Sequence, residues 1–515
     1  MSTLAERSFF SQAYDQGREH FEHIVGYLDS AEAAWMTHSE LERELEKKGR
    51  ELMRILLQEH IDRRGPGHCE QSVCGADGLQ RCRQRPHVRE LETVFGTVSV
   101  ERVGYGCEGV GSLHPLDAEL NLPEERYSLE LRRRVAQEAA KSSFEETLES
   151  IGKSTGAHVA KRQLEDLVMR AARDFDAFYQ LRQAPQATGS VLAISVDGKG
   201  ITMRTEDLRE QTRKAANARM HKMGKRLSKG EKKNAKRMAT VAAVYTIAPF
   251  VRTPQEVVAE TGGSLAQVSR PRPEQKRVWA SVEKEPEEVI VQAFAEARQR
   301  DPTVEKTWVA LVDGNKAQIR HLRGKARENG VELSIVVDIV HVIEYLWGAG
   351  RAFHPASGPE LESWVRYRLL EILQGKAGLM AGGMRRSATR RGLSAEQRKP
   401  VDKCARYLLN HSSYLHYDQY LAQGLPIATG VIEGACRHLV KDRMEVTGAR
   451  WSLTGAEAVL RLRALRSSGD FDEYWRFHEI CEYQQTHRSR YAGGIVPPTT
   501  CLHPTRKKTF LKTIK

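Results

Sequence analysis

Residues 307–347 read TWVALVDGNKAQIRHLRGKARENGVELSIVVDIVHVIEYLW. Two short apolar runs, at 308–312 and 334–337, each lead into an aspartate, Asp313 and Asp338, and a charged segment of helical length separates them. Short apolar runs alternating with helical patterns predict strands of a sheet covered on both faces. A carboxylate at the end of such a strand is held at the sheet's rim, where the ligands of α/β folds gather. The pattern recurs upstream, where 192–196 leads into Asp197 and Gly198.

Working outward, the order is a strand ending at Asp197, two more strands (238–250 and 277–282), a helix over 287–300 opened by Pro286, the Asp313 strand, a helix and the Asp338 strand. Three meandering strands followed by alternating helix and strand is the order of an α/β ribonuclease-H-like core, spanning 190–346 in its first part. Strand patterning stops after Trp347. Residues 347–425 read as an all-helical insertion with breaks at HPASGP, GKAGLMAGGM and NHSS. Residues 426–485 read as final core helices, among them TGVIEGACRHLVKDRMEVTGARW, a second helix capped by Ser452 and Thr454, and FDEYWRFHEICEY.

Ahead of the core, residues 1–64 are helical, with Ser39 and Glu42 spaced as a capping box and Leu41, Leu45, Leu52, Ile55 and Leu56 along one side. A small region at 65–126 holds an alternating apolar and polar stretch around Gly96 that predicts a β-hairpin. Cys69, Cys74, Cys82 and Cys107 lie nearby, but only the first two approach zinc-ligand spacing and no second pair matches them, so no zinc site is assigned. At 127–184 a short helix, a Gly-containing turn and a longer helix resemble a helix-turn-helix, with Lys153, His158, Lys161, Arg162 and Arg170 available for phosphate and base-edge contacts. This mainly helical N-terminal region is expected to bind DNA. A basic tail closes the chain at 486–515.

The 515 residues carry 80 Lys and Arg against 67 Asp and Glu, a formal charge of +13. That excess favours an anionic partner, nucleic acid first. It concentrates at 205–237, where Arg209, Arg213, Lys214, Arg219, Lys222, Lys225, Arg226, Lys229, Lys232, Lys233, Lys236 and Arg237 meet few acids. So one-sided a run repels itself unless a polyanion is near. The eight scattered cysteines, with no CxxC pair, suit a reducing compartment. The polar start shows no signal peptide, and no apolar stretch reaches membrane-spanning length, so the expectation is a cytoplasmic protein.

Two divalent cations can activate an attacking oxygen and stabilise the leaving oxygen of a phosphodiester, and three carboxylates from separate elements suffice to hold them. Asp197 and Asp313 each precede glycine, which lets a metal approach the backbone closely. Glu433 is the best third carboxylate, from a helix beside the sheet, and Arg437 and Lys441 continue its helical face toward a DNA backbone. Cys436 reads as a small buried filler, and Trp347 and Trp451 as packing residues.

The segments VDGKG, LVDGN, DIVHVIEYLW and GVIEGACRHLVKDRMEVTGARWSLTGAEAVLRLRAL resemble an insertion-sequence transposase of the ISKra type, a relative of the Mutator-like DDE transposases. The similarity also takes in GRELMRILLQEH, LETVFGTVSVERVGY and LHPLDAELNLPEERYS. It implies cleavage of element ends and strand transfer into target DNA, with Asp197, Asp313 and Glu433 as catalytic ligands of Mg2+ or Mn2+. Asp338 and His341 stand where Mutator-like relatives carry a Cys-x-x-His pair and become accessory residues, with Asp338 the rival of Asp313 for the second ligand. Partners implied are DNA ends with terminal inverted repeats, target DNA and further copies of the chain. A DNA-binding regulator descended from a transposase, and a ribonuclease-H-like nuclease of another lineage, remain as alternatives.

Overall fold

The computed structural model describes residues 14–184, 187–217, 235–261, 269–355 and 358–500. The chain forms two compact units, Met1–Tyr179 with Phe471–Lys515, and Gln180–Asp470.

The first unit opens with helices α1 (Asp15–Leu28) and α2 (His38–Arg64). The capping box of α2 lies two residues upstream of the expected one. The Thr37 hydroxyl receives the Glu40 amide, and the Glu40 carboxylate receives the Thr37 amide, at 3.4 and 2.8 Å. Two short strands, β1 (Val73–Cys74) and β2 (Gln80–Arg81), precede an antiparallel meander of β3 (Arg83–Thr93), β4 (Gly96–Cys107) and β5 (Val110–Leu113). The β3–β4 turn closes at Gly96, whose φ of +121° favours glycine. The helices that follow include α3 (Leu129–Ala139), α4 (Phe144–Ser154) and α5 (Lys161–Ala171). The helix Phe471–Glu482, expected among the final core helices, belongs to this unit instead. A buried polar network fastens it there. His478 Nδ1 meets Asp174 Oδ2 at 2.7 Å, Arg132 Nη1 donates to Glu482 Oε2 at 2.8 Å, and Arg132 also pairs with Glu125. Burial alone would push the Asp174 and Glu482 carboxyls up, but His478 beside the first and Arg132 beside the second hold both below the usual range.

The second unit is α/β. Its mixed five-stranded sheet has the order β10-β9-β6-β7-β8, from β6 (Val191–Thr202), β7 (Lys236–Ile247), β8 (Glu274–Ser281), β9 (Thr307–Val312) and β10 (Leu333–Val337). β6, β7 and β8 are antiparallel neighbours, whereas β9 runs parallel to both β6 and β10. Unbroken burial along Leu192–Val196 and throughout 308–312 reflects cover on both faces, as the continuous apolar runs require. Helices α6 (Pro286–Arg300) and α7 (Lys316–Glu328) pack on this sheet.

The β6 strand does not end at Asp197. It continues to Thr202, paired with β7 as far as Lys236, while its pairing with β9 stops at Ser195 opposite Leu311. β6 and β7 thus extend as a two-stranded arm beyond their parallel neighbour.

After β10 come α8 (Ile339–Phe353) and the helical insertion, α9 (Pro359–Leu373), α10 (Ala377–Arg390), α11 (Ala395–Asn410) and a short helix Tyr417–Ala422. GKAGLMAGGM breaks only at Gly375, with φ +82°, and Lys376, and is helical in α10 from Ala377 onward. The insertion is fastened to the sheet's edge strand, since the Tyr417 hydroxyl donates to the Val337 carbonyl at 2.6 Å and Tyr420 to Ile335 at 3.2 Å. The unit closes with α12 (Gly430–Ala435) and α13 (Leu453–Ser468), the latter capped by Ser452 as expected. No helix among the described residues is long and apolar enough to cross a membrane.

Candidate active site

β10, β9 and β6 run parallel side by side in that order, and each has an aspartate where it leaves the parallel part of the sheet. Asp313 follows Val312, Asp338 follows Val337, and Asp197 lies two residues beyond the last β6–β9 pair. Carboxyl ends of parallel strands form the crevice in which α/β proteins hold ligands. The fourth carboxylate, Glu433, arrives on α12, which packs over β6 and β7.

The four acids differ in how they are held. Asp338 is fully buried and caps α8. Its Oδ1 receives the amides of Val340 at 3.0 Å and Thr429 at 3.4 Å, while its Oδ2 receives the Thr429 hydroxyl and His341 Nδ1, the latter at 3.1 Å. Two donors at each oxygen leave no lone pair free. The hydrogen bond to Asp338 raises the His341 imidazole to about 9, against the cost of its partial burial, and the charges of Asp338, Glu344 and Asp313 add to the rise. At neutral pH this is an ion pair.

Asp313 keeps more of its capacity. Its Oδ1 receives the Asn315 amide at 2.8 Å, and Oδ2 has no partner among the described residues. Its backbone is clamped by the insertion, because the Tyr407 hydroxyl donates to the Asp313 carbonyl at 2.9 Å and His411 Nε2 meets the Gly314 carbonyl at 2.8 Å. Gly314 is required there. Its φ is +96°, and a Cβ would lie 2.9 Å from His411 Nε2. Asp197 is half-buried, with Oδ1 against the Gly198 amide at 2.6 Å and Oδ2 receiving the Cys436 thiol at 3.2 Å. Burial pushes that thiol up, and the Asp197 charge pushes it further, so Cys436 is a neutral donor rather than inert filler. Glu433 is exposed, with Oε1 3.5 Å from the Thr429 hydroxyl. That hydroxyl has a single proton, so Asp338 and Glu433 share it.

Asp338, His341 and Glu433 are the group of three whose ligand atoms close within 4.8 Å among the described residues, and Asp197 and Asp313 stand outside it. The expected grouping of Asp197, Asp313 and Glu433 is therefore not closed in this conformation. Asp338 is saturated and its histidine carries a proton, whereas Asp197, Asp313 and Glu433 keep open oxygen lone pairs. Carboxylate oxygens of that kind fit a hard cation such as Mg2+ or Mn2+.

The helix carrying Glu433 changes winding just beyond it. Cys436–Lys441 forms a π-turn, a feature found disproportionately at functional sites, so Arg437 and Lys441 do not continue the Glu433 face as straight α-helical spacing predicts. Both are exposed, and Arg437 Nε lies 3.8 Å from Asp442. Trp451 is a packing residue, buried with its indole N–H on the Met444 carbonyl at 3.1 Å.

The remaining expected residues are carried by other elements. Lys153 pairs with Glu149 at 2.5 Å on α4, and Lys161 at the start of α5 pairs with Glu145 at 2.6 Å, while His158 lies in the connection and Arg162 is exposed on α5. Arg213 and Lys214 lie on the helix Glu210–Asn217, with Lys214 paired to Glu210 at 2.6 Å. Arg219, Lys222, Lys225, Arg226, Lys232 and Lys233 fall outside the described residues. Among the described residues the N-terminal cysteines form no three-ligand group. A fork from buried Arg81 to both oxygens of exposed Asp77, at 3.0 and 2.7 Å, closes the β1–β2 turn beside them.

Sequence reasoning missed Thr429, Tyr407, His411 and the role of Cys436. Thr429 precedes Glu433 by one helical turn and was within reach of spacing arguments, whereas the other three meet the site only through tertiary packing. No protein-family model matches this chain, and no curated protein matches it.

Proposed function

We propose that the chain is a DNA transposase of the DDE class, cutting element ends and joining them to target DNA. The observation carrying this reading is that Asp197, Asp313 and Asp338 lie where three adjacent strands leave the parallel part of one sheet, with Glu433 supplied by a helix packed on the same sheet. The strand order, three antiparallel strands followed by two parallel ones on the far side of the first, supports a ribonuclease-H-like core. Asp197, Asp313 and Glu433 would hold Mg2+ or Mn2+, which would supply Lewis acidity to the phosphoryl group and offset charge on the leaving oxygen.

The chain's own residues set up the rest. Asp338 links the end of β10, the start of α8 and, through Thr429, the approach to the Glu433 helix. Its partner His341 presents a positive charge beside the carboxylates, which attracts a phosphodiester into an otherwise anionic crevice. Tyr407 and His411 hold the Asp313 turn rigid, as a site tolerant of little displacement requires. The α4–α5 pair in the first unit would contact element ends, and paired ends call for more than one copy of the chain.

The test is incubation of the purified chain with Mg2+ or Mn2+ and DNA carrying the flanks of its own gene. End cleavage and joining are expected, with loss of both in Asp197→Asn, Asp313→Asn and Glu433→Gln. Loss in Asp338→Asn with cleavage retained in Asp313→Asn would reverse the roles of those two residues.

A further inference from the structure

Helix α7 begins three residues after Asp313 and buries Gln318, Ile319, Leu322 and Ala326. A basic row flanks that buried side. Lys316, Arg320, Arg323 and Arg327 are exposed, and their spacings of four, three and four residues place them in one row. None of the four has an acidic partner among the described residues, although neighbours off the row do. Lys325 pairs with Glu328 at 2.8 Å, and His321 lies 3.7 Å from Glu287. Arg323 donates to the Tyr414 hydroxyl at 3.3 Å and Arg327 to the Arg323 carbonyl at 3.4 Å, contacts that orient the guanidinium groups without neutralising them.

Four aligned cations without counter-charges repel one another, a cost that a polyanion removes. The row also begins three residues beyond Asp313, beside carboxylates that offer a phosphate little attraction apart from the charge on His341. At a rise of 1.5 Å per residue the row is roughly 16 Å long, about five nucleotides of one strand of a B-form duplex at ~3.4 Å each. We propose that this face of α7 is a track for the phosphate backbone of the DNA strand that leads away from the reacting phosphodiester. The proposal rests on the nucleic-acid reading of the site and assigns it a second, independently testable surface.

The experiment is a salt titration of binding between the full chain and a fluorescent DNA duplex of random sequence. Lys316→Gln, Arg320→Gln and Arg327→Gln are combined in one variant, which leaves the Arg323–Tyr414 contact intact and helix propensity little changed. Counterion release gives a slope of about 0.9 per phosphate contact, so the dependence of log affinity on log salt should flatten by roughly 2.7. An equal-charge control combines Arg386→Gln, Arg390→Gln and Lys399→Gln on exposed positions of the insertion, and it should keep most of the wild-type slope. Equal loss in the control would reduce the effect to net charge and overturn the proposal, as would an unchanged slope in the α7 variant with its thermal melt intact. A row-dependent preference for duplex RNA would overturn the assignment to DNA. If wild-type protein binds no DNA at any salt concentration, the nucleic-acid reading itself falls, an outcome distinct from the others.

Discussion

Replacing Asp338 by Asn tests its half-buried ion pair with His341. His341 stands at about 9 rather than its ordinary 6.5, chiefly through its hydrogen bond to Asp338. A folded-state value above the unfolded one stabilises the fold fully below about 6.5, and that stabilisation is lost as pH rises through about 9. A gap of about 2.5 units corresponds to at most ~3.4 kcal/mol. The His341 side chain is 36% exposed while that of Asp338 is wholly buried, so solvent screening reduces this to roughly 1.5 kcal/mol. Hydrogen exchange of peptides covering 307–347, corrected for intrinsic rates, reads the local opening free energy at about pH 6 and about pH 9.5. Wild-type protein should lose roughly 1.5 kcal/mol of protection between the two. Asp338→Asn should start lower, because the amide cannot accept all four donors, and should show little further loss. The same pH dependence in both proteins would refute the pairing.

Other contacts carry further expected outcomes. Gly314→Ala should destabilise the protein by about 1–3 kcal/mol, since its backbone is strained for an L residue and the new Cβ meets His411, and an unchanged thermal melt would show that the turn relaxes freely. Cys436→Ala should slow end cleavage by roughly tenfold, about 1.4 kcal/mol for the donor lost from Asp197, while Cys436→Ser should retain most activity because a hydroxyl also donates. In the first unit, the lowered Asp174 and Glu482 carboxyls stabilise the fold above the ordinary carboxylate range and lose that contribution as pH falls through their folded values. Arg132→Met, which leaves Glu482 without that cation, should cost about 3–5 kcal/mol, measured by denaturant unfolding with a probe in the helix Phe471–Glu482.

The parts of the fold legible in the sequence are those whose signals are local. The β9 and β10 strands are continuous apolar runs bounded by charged segments, and both lie where those runs place them. Asp197 was misplaced at a strand end because VDGKGIT carries two glycines and a lysine, and its pairing partner on β7 starts inside a basic run, so neither half looks like strand until they are side by side. The α2 cap was displaced because both Thr37 with Glu40 and Ser39 with Glu42 fit the same four-residue pattern, and only backbone geometry chooses between them. The return of Phe471–Glu482 to the first unit has no local signature, since its anchors, Arg132 and Asp174, lie some 300 residues earlier. Asp338 and Asp313 look equivalent in sequence and become different only when Thr429, nearly a hundred residues downstream, saturates one of them.

The tyrosines that cover β10 from the helix Tyr417–Ala422 bear on how the helical insertion can be manipulated. β10 is the last strand of its sheet, and an uncovered edge strand is a template for pairing with a strand of another molecule. Tyr417 and Tyr420 occupy alternate carbonyls of that edge with their hydroxyls, leaving an incoming strand no regular ladder to extend. A truncated version lacking residues 347–425 would therefore not be a smaller core but an adhesive one, prone to fibre-like stacking at the concentrations used to purify it. Minimal versions of this unit should keep 417–420 or replace them with a charged or proline-bearing cover.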